Sequence, residues 1–289
     1  MDHGFATGVC PTLGPAALRH FRRRGWVRIP GAFPPSDAQL LRELIWAELG
    51  RRHGIRRDAP ATWNRSWSGL QPLGRRAAFR AIATARLAGA LDQLSGRGRW
   101  RWPRSWSMFL VDPPRDTPGA WRVPMDGWHY DALPGPILEL NAFIFYDQVV
   151  PRGGGTLLLD GSHQLLAHFL AQNGRALAGR SFRARREAFA AHHPWLRRLH
   201  GIEPGRTARG LELLGSEPDA QEAGLLVREM TGAAGDVILW CAWMYHARPS
   251  HHLHRPRLMS NVRVPAVRSL TPSAVSGQRA GSSGTTEMT

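Results

Sequence analysis

The sequence contains no lysine, although 38 basic and 22 acidic residues give it a formal net charge of +16. Every basic side chain is therefore an arginine, and the arginines are scattered along the chain instead of clustering in one motif. This distribution indicates a compositional bias more than a phosphate-binding surface, so it does not predict dedicated nucleic-acid binding. It is compatible with a preference for an anionic small substrate.

Cysteine is also scarce, because Cys10 and Cys241 are the two in the chain and stand far apart. Neither belongs to a CxxC or Cys/His ligand spacing, which argues against a disulfide framework and a zinc knuckle. No run approaches the roughly 18 consecutive apolar residues of a membrane span. The first thirty residues also lack the hydrophobic core of a signal peptide. We therefore expect a soluble, cytoplasmic protein that does not act at a membrane.

The chain has 289 residues, 43% of them hydrophobic, which is enough to bury the core of one large domain. Residues 1–14 show no periodicity and are expected to fray, whereas residues 268–289 are rich in Ser, Gly and Thr and are expected to form a flexible tail. Residues 15–267 are predicted to form a single domain. Its helical layer is predicted at 15–99 and its β-rich core at 100–267.

The helical layer is predicted from its apolar periodicity. Residues 15–24 form a short helix, and 26–30 alternate like a strand. A longer helix follows, with Ser36 as N-cap and Gln39 three residues later. Its apolar stripe consists of Leu40, Leu41, Leu44, Ile45 and Leu49. A third, amphipathic helix is expected over 76–94. Its inward-facing residues are Phe79, Ile82, Leu87 and Leu91.

From residue 100 onward, short strand-like runs separated by Pro and Gly predict a sandwich or barrel. The predicted strands cover 105–111, 137–146, 155–159, 224–230, 236–242 and 257–264. Residues 163–200 interrupt them with helical, Arg-rich sequence and are interpreted as an insertion. The predicted fold class is therefore mainly β with flanking helices.

His129 and Asp131 have a spacing that could bring both side chains to one metal ion, because residues i and i+2 of an extended segment project from the same face. An iron site of the two-His, one-carboxylate type needs one more His from another strand, which leaves three positions open for substrate and oxygen. His246 follows a predicted strand and is the favoured candidate. Three neighbouring histidines are alternatives: His251, His252 and His254. A histidine of this kind could instead be a core residue satisfied by a backbone carbonyl.

Arg257 opens the next predicted strand, eleven residues after His246. Its guanidinium could bind a carboxylate through two parallel hydrogen bonds, as a dicarboxylate cosubstrate beside the metal would require. The alternative is a pairing with a surface Glu, which contributes little to stability.

Two further patterns have two interpretations each. The glycines at 153–155 resemble a phosphate-cradling loop, but no GK[ST] follows, so a tight turn before a strand is the better interpretation. His192, His193 and His200 could form a second metal site, although a solvated or lid-forming face is the simpler explanation.

Four motifs in register resemble the phytanoyl-CoA dioxygenase family of iron(II)- and 2-oxoglutarate-dependent oxygenases. They are the H-x-D of His129 and Asp131, the PRGGGTLLLDGSH run at 151–163, the Gly-Asp turn with His246 ten residues after the Asp, and the R-P-R at 255–257. The opening FRRRGWVRIPGAF followed by a helix also resembles the start of that family. The resemblance covers residues 17–265.

The resemblance implies a double-stranded β-helix core, that is, a jelly roll of the cupin type, with iron near one end. His129, Asp131 and His246 would be the iron ligands. Arg257 would pair with the distal carboxylate of 2-oxoglutarate, and Thr156 matches a hydroxyl position that contacts this cosubstrate.

One position departs from the family pattern. The family often has a Ser two residues after the histidine that matches His246, and this Ser binds the distal carboxylate of 2-oxoglutarate. This chain has Arg248 at that position. A second cation could substitute for the Ser, or it could point into solvent. The geometry of the cosubstrate is therefore less defined by the resemblance than the ligand set.

The implied reaction uses iron(II), 2-oxoglutarate and O2 to oxidise a C–H bond of a small organic molecule in specialised metabolism, with release of succinate and CO2. Asp131 stands where related halogenases have a small residue, so hydroxylation, desaturation or ring formation is favoured over chlorination. Two alternatives stay open: a cupin-like metalloenzyme that does not use 2-oxoglutarate, and a non-catalytic binding protein on the same scaffold.

Tryptophans crowd into the segment before His129 and again before His246. They are Trp100, Trp102, Trp106, Trp121, Trp128, Trp240 and Trp243. Core packing accounts for large rings in general, but some of these rings could line a pocket mouth for an aromatic substrate. The sequence does not define the substrate or the oligomeric state.

Overall fold

The computed structural model describes residues 12–64, 67–113, 121–202, 225–249, 251 and 253–267. The predicted tail at 268–289 lies outside the described residues, as do residues 1–11 of the segment that we expected to fray.

The described residues form α-helices in two groups, one before the strand-rich part of the chain and one within it. The helices are α1 (Pro15–Arg24), α2 (Pro35–His53), α3 (Ala85–Ser95), α4 (Ser162–Asn173), α5 (Phe182–His192) and α6 (Pro194–Leu199). Short 3₁₀ helices cover Pro60–Thr62, Gln71–Arg75 and Ala77–Ile82. The predicted insertion at 163–200 contains the second group, α4 to α6.

Helix α1 has the predicted bounds, and Phe21 is buried on its inner side. Gly25 ends the helix at a φ of 89°, a left-handed conformation that costs glycine little, and its amide donates to the carbonyl of Phe21. This arrangement leads the chain directly into the first strand.

Helix α2 begins two residues earlier than predicted, and its predicted cap is wrong. Pro34 takes the N-cap position, and Ser36 lies inside the first turn. A proline at the first helical position suits this start, because its fixed φ is helical and it has no N–H to satisfy. Leu41 and its partners along one face are buried, but Leu40 is 53% exposed. Successive helical residues are turned by about 100°, which carries Leu40 away from the core.

The single helix predicted over 76–94 is also wrong, because two elements occupy that segment. A 3₁₀ helix ends at Ile82, and α3 begins at Ala85. Thr84 separates them: its hydroxyl accepts a hydrogen bond from the amide of Leu87 at 3.2 Å and caps α3. The four predicted inward residues are nevertheless buried. The apolar pattern could not reveal the Thr84 cap, because the cap interrupts the helical backbone but leaves the same residues facing the core.

All seven predicted strands are present, counting the one at 26–30, and most are shorter than expected. A two-residue strand, β7 (His246–Ala247), was not predicted. The strands are β1 (Trp26–Ile29), β2 (Phe109–Asp112), β3 (Leu140–Phe145), β4 (Leu157–Leu159), β5 (Val227–Glu229), β6 (Val237–Cys241), β7 (His246–Ala247) and β8 (Arg257–Val264). Among the described residues, one sheet has the order β1-β6-β3-β8-β2 and the other β5-β4-β7.

All the pairs in the two sheets are antiparallel, and β3 lies at the centre of the larger sheet between β6 and β8. Every residue of β3, β4 and β6 is buried. Side chains of both sheets and of the helices belong to one hydrophobic core. The architecture is mainly β with flanking helices, as predicted.

Within the part of the chain that the structure covers, no helix has both the length and the apolar composition required to cross a bilayer.

Candidate metal centre

The backbone brings the two candidate histidine ligands side by side. The amide of His129 donates to the carbonyl of His246 at 2.9 Å, and the amide of His246 donates to the carbonyl of His129 at 2.8 Å. Two residues on, the amide of Asp131 donates to the carbonyl of Ala242 at 3.3 Å. The imidazole centroids of His129 and His246 are therefore only 4.1 Å apart.

The Asp131 carboxylate completes a three-membered donor set. Its Oδ1 lies 3.6 Å from Nε2 of His129, and its Oδ2 lies 3.7 Å from Nε2 of His246. One ligand atom from each of the three residues lies within 4.8 Å of the others. Nitrogen and oxygen ligands bind a transition metal at about 2.0–2.2 Å, so neighbouring donors around one ion stand about 3 to 4 Å apart. Two imidazoles and one carboxylate at these separations fit a single divalent ion.

Backbone carbonyls fix the tautomer of both imidazoles. Nδ1 of His129 lies 2.8 Å from the carbonyl oxygen of Gly127, and Nδ1 of His246 lies 3.0 Å from that of Met244. A carbonyl can only accept, so each Nδ1 carries the hydrogen in the neutral ring. The Nε2 lone pairs are thus directed toward Asp131. This is how metal-binding histidines are usually oriented.

The two histidines differ in their exposure. His246 is 6% exposed and meets the edge of the Trp240 ring at 4.9 Å, whereas the side chain of His129 is 37% exposed. Burial lowers the pKa of His246 to about 4; the nearby His129 adds to this effect and Asp131 opposes it. His246 is therefore neutral at pH 7, and no proton has to leave its Nε2 before a metal binds. The site is closed behind His246 and opens on the side of His129 and Asp131.

Tyr130, between the two ligands in sequence, projects to the opposite side and is completely buried. Its ring packs against Phe182 at 5.1 Å and Phe189 at 6.1 Å, both from α5. Trp128 stacks on Tyr245 at 5.8 Å. The ligand-bearing segment is therefore embedded in an aromatic cluster on its far side.

Arg186 of α5 anchors the same segment through a charged hydrogen bond. Its guanidinium donates to the carbonyl of Tyr130 at 2.7 Å and lies 4.6 Å from the ring centroid of Phe182. The insertion thus contacts the backbone midway between His129 and Asp131. No sequence pattern identifies Arg186, because nothing in a run of arginines distinguishes the one that meets a distant carbonyl.

The other histidines have separate roles. His193 caps α6 by accepting from the amide of Trp195 at 3.1 Å, and His200 hydrogen-bonds the Tyr245 hydroxyl at 2.7 Å. Among the described residues, the group that could hold a metal is His129, Asp131 and His246. A second metal site in the insertion is therefore wrong for the residues that the structure covers.

Of the rival histidines near His246, the two that the structure describes do not belong to the metal-binding group either. His251 is buried, and its Nε2 hydrogen-bonds the carbonyl of Arg255, whereas His254 is exposed. His252 lies outside the described residues.

Most of the tryptophans lie in the core. Trp240 stacks on Phe143 at 5.0 Å, and the other rings near the ligands are buried or partly buried. These contacts favour the packing interpretation over a row of rings at a pocket mouth.

Arg257 is 2% exposed, and it lies opposite Asp112 in the antiparallel pairing of β8 with β2. Its guanidinium donates to the Asp112 carboxylate and to the carbonyl of Gly154. Burial lowers the pKa of Arg257, and Asp112 opposes this shift. The alternative of a surface pairing with Glu is wrong, because the partner is an Asp and the guanidinium is buried.

Arg248 donates to the same Asp112 carboxylate from the other side and is about half-exposed. Arg248, which replaces the expected Ser, therefore adds a second cation to this cluster. Its side chain does not point wholly into solvent. No local sequence pattern identifies Asp112 as a partner of Arg257. Only the register of β2 against β8 identifies it.

Thr156 lies just before β4 and is 6% exposed. Strand β4 pairs with β7, with Leu158 opposite His246 and Leu157 opposite Ala247. Continuing this register by one residue sets Thr156 opposite Arg248. Directly opposed residues of an antiparallel pair point to the same face, so the register places Thr156 on the face of the sheet that carries His246.

The glycine run at 153–155 forms a tight turn before β4, as expected, and not a phosphate loop. Gly154 has a φ of 80°, and Glu229 accepts from the amides of Arg152 at 2.6 Å and Gly155 at 3.0 Å. Burial raises the pKa of Glu229, while these backbone donors oppose the shift. The turn presents the Gly154 carbonyl to Arg257.

No protein-family model and no curated protein matches the chain. Among solved structures, HygX from Streptomyces hygroscopicus with nickel and 2-oxoglutarate bound is 15% identical, over 88% of this chain and 87% of that chain, with a TM-score of 0.50. The carbocyclase SnoK from nogalamycin biosynthesis is 17% identical over 87% and 83%, with a TM-score of 0.49. The apo form of the non-heme monooxygenase ThoJ is 15% identical over 86% and 76%, with a TM-score of 0.49. The likeness to HygX concerns the fold, and it confirms the predicted jelly-roll class.

Proposed function

We propose that this chain is an iron(II)- and 2-oxoglutarate-dependent oxygenase that oxidises a C–H bond of a small organic molecule in specialised metabolism. The observation that carries the proposal is the meeting of two correctly oriented imidazoles and one carboxylate within 4.8 Å. This donor set is the one that non-haem iron oxygenases use. The shared fold with HygX, whose structure contains nickel and 2-oxoglutarate, adds support.

Three side chains would hold the metal on one side and leave its opposite side accessible. His246, backed by Trp240, closes the buried side, while His129 and Asp131 border solvent. When bound, iron(II) with 2-oxoglutarate and O2 supplies the oxidising chemistry, in which succinate and CO2 are released. Substrate would enter on the side of His129 and Asp131.

Arg257 would anchor the distal carboxylate of 2-oxoglutarate, because it is a buried cation on the strand that follows the distal histidine. A guanidinium binds a carboxylate through two parallel hydrogen bonds, which fixes orientation as well as position. Thr156 would add a hydroxyl contact. We also propose, from the four sequence motifs, that the chain is related to the phytanoyl-CoA dioxygenase family.

One observation favours a second candidate, a cupin-like metalloenzyme that does not use 2-oxoglutarate. The charge of Arg257 is already balanced by Asp112, so the pair could be a structural link between β2 and β8. In that case the metal site would function without a keto acid.

Anaerobic titration separates the candidates. Adding iron(II) and 2-oxoglutarate together should produce a weak visible charge-transfer band that neither produces alone. Metal binding without this band would support the cupin-like candidate. If the protein binds neither iron(II) nor 2-oxoglutarate, the result would support a non-catalytic binding protein.

The Arg257→Gln variant should bind iron(II) as the wild type does but should need a higher 2-oxoglutarate concentration to develop the band. Arg255→Gln is the matched control, since Arg255 is two residues away, about half-exposed and paired with Asp147. An unchanged requirement for 2-oxoglutarate in Arg257→Gln would contradict the proposed anchor.

A further inference from the structure

Asp112 is bound by two arginines at the proposed anchor of the cosubstrate. Arg257 and Arg248 both donate to its carboxylate, one to each oxygen. The side chain of Asp112 is 18% exposed, that of Arg257 1% and that of Arg248 53%. The carboxylate therefore lies between a buried and an accessible guanidinium.

This cluster borders a cavity of about 350 Å³. Asp112 and Arg248 line it together with Trp67, Phe109 and Val111. The volume lies at the lower end of the range of small-molecule sites. An anionic ligand in this cavity would meet Arg248 and Asp112 first, with Arg257 behind them.

The side chain of Asp112 ends in the same functional group as the distal end of 2-oxoglutarate. Either group can accept from the N–H donors of a guanidinium, and Asp112 already accepts from one terminal nitrogen of Arg257. Two carboxylates cannot use the same donors at once. Two carboxylates side by side also repel each other. A dicarboxylate can therefore take its full set of hydrogen bonds from Arg257 only if Asp112 gives them up.

We infer that the Asp112 carboxylate competes with the distal carboxylate of the keto acid for Arg257, and that it thereby sets the affinity and selectivity of the site for dicarboxylates. The inference rests on the proposed function, in which Arg257 binds the cosubstrate. Arg248 gives Asp112 a second partner: a long, half-exposed side chain can keep its hydrogen bond to Asp112 while Asp112 withdraws from Arg257.

A structural role is the alternative. Oppositely charged residues facing each other across two strands stabilise a sheet, and Asp112 and Arg257 face each other in this way. A purely structural pair would affect folding but not the binding of any keto acid.

The test is calorimetric titration of the anaerobic, iron(II)-loaded protein with 2-oxoglutarate. Asp112→Asn removes the charge but keeps an oxygen acceptor for the arginines. It should bind 2-oxoglutarate about tenfold more tightly than the wild type, which corresponds to about one charge-assisted hydrogen bond released from competition. With 2-oxopentanoate, which has the same chain length but no distal carboxylate, the two proteins should bind equally.

Asp147→Asn is the matched control. Asp147 also bridges two arginines, Arg42 at 3.2 Å and Arg255 at 3.3 Å, and its side chain is 16% exposed, close to the 18% of Asp112. This variant should bind 2-oxoglutarate as the wild type does.

The outcomes distinguish a failure of the proposed function from a failure of the inference about Asp112. If neither the wild type nor Asp112→Asn binds 2-oxoglutarate, the proposed function fails. If the wild type binds it and Asp112→Asn binds it equally or more weakly, the proposed function stands and the inference is overturned. Asp112→Ser serves as the second variant should the first not fold. Failure of both to fold would also overturn the inference, because a carboxylate that the fold cannot lose does not give way to a ligand.

Discussion

Replacing Arg186 with Met should weaken metal binding although Arg186 is not a ligand. The guanidinium of Arg186 donates to the carbonyl of Tyr130, midway between His129 and Asp131, at 2.7 Å. Methionine keeps the unbranched stem that packs against the aromatic rings but removes the charge and the donor. The ligand segment would then lose its charged hydrogen bond to α5, while its own side chains and the packing of Tyr130 on α5 stay in place.

The size of the effect follows from the contacts that are lost. A hydrogen bond from a charged donor contributes about 1.5–3 kcal/mol. The guanidinium also lies 4.6 Å from the Phe182 centroid and 5.6 Å from that of Tyr130, and such cation–π contacts add about 0.5–1 kcal/mol. Removal of a residue that orients metal ligands typically reduces metal affinity by about 10- to 100-fold. We expect a loss in that range for Arg186→Met.

Iron(II) or manganese(II) affinity, measured by anaerobic calorimetry, checks this expectation. Arg183→Met is the matched control, because Arg183 lies on the same helix but pairs at 2.9 Å with Glu187 in solvent. That exposed pair contributes little, so the control should bind metal as the wild type does. Equal metal affinity in Arg186→Met and the wild type would refute the role that we assign to the contact between α5 and Tyr130.

Two further predictions concern stability. The pKa of Glu48 is lowered to about 2, and the largest cause is the hydrogen bond from Arg51. The ion pairs of Glu48 therefore stabilise the fold above about pH 4.5. This contribution is lost as the pH falls toward 2. Glu48→Gln should therefore lower the unfolding temperature at pH 7, and its difference from the wild type should shrink on acidification; a difference that is constant with pH would contradict this. Gly155→Ala should destabilise the fold by about 1–3 kcal/mol in denaturant unfolding, because the added methyl group would collide with the carbonyl of Met230. Gly135→Ala is the control, because nothing lies within 4 Å of the added methyl group, and it should change the free energy of unfolding little. Equal destabilisation by the two substitutions would argue against the tight turn.

The fold class could be predicted from the sequence because it depends on local patterns. Short apolar runs between Pro and Gly identify strands whatever they pair with, and Gly25 ends α1 by its own conformational freedom. The two wrong helix starts have a different origin. Pro34 at the cap of α2 and Thr84 at the cap of α3 take positions that the apolar period does not encode.

The candidate site was predicted in its donors but not in its surroundings. His129, Asp131 and His246 have a recognisable spacing and order along the chain. By contrast, Asp112 becomes a partner of Arg257 only through the register of β2 against β8, and Arg186 reaches Tyr130 only through the packing of α5. Contacts of this kind join residues more than fifty positions apart, so no local pattern indicates them.

The central claim is that His129, Asp131 and His246 bind one iron ion. A crystal structure of the protein grown anaerobically with iron(II) and 2-oxoglutarate tests it most directly. We expect one ion about 2.0–2.2 Å from Nε2 of both histidines and from an Asp131 oxygen, with the distal carboxylate of the keto acid on Arg257. An ion bound elsewhere, or one that contacts fewer than these three side chains, would contradict it.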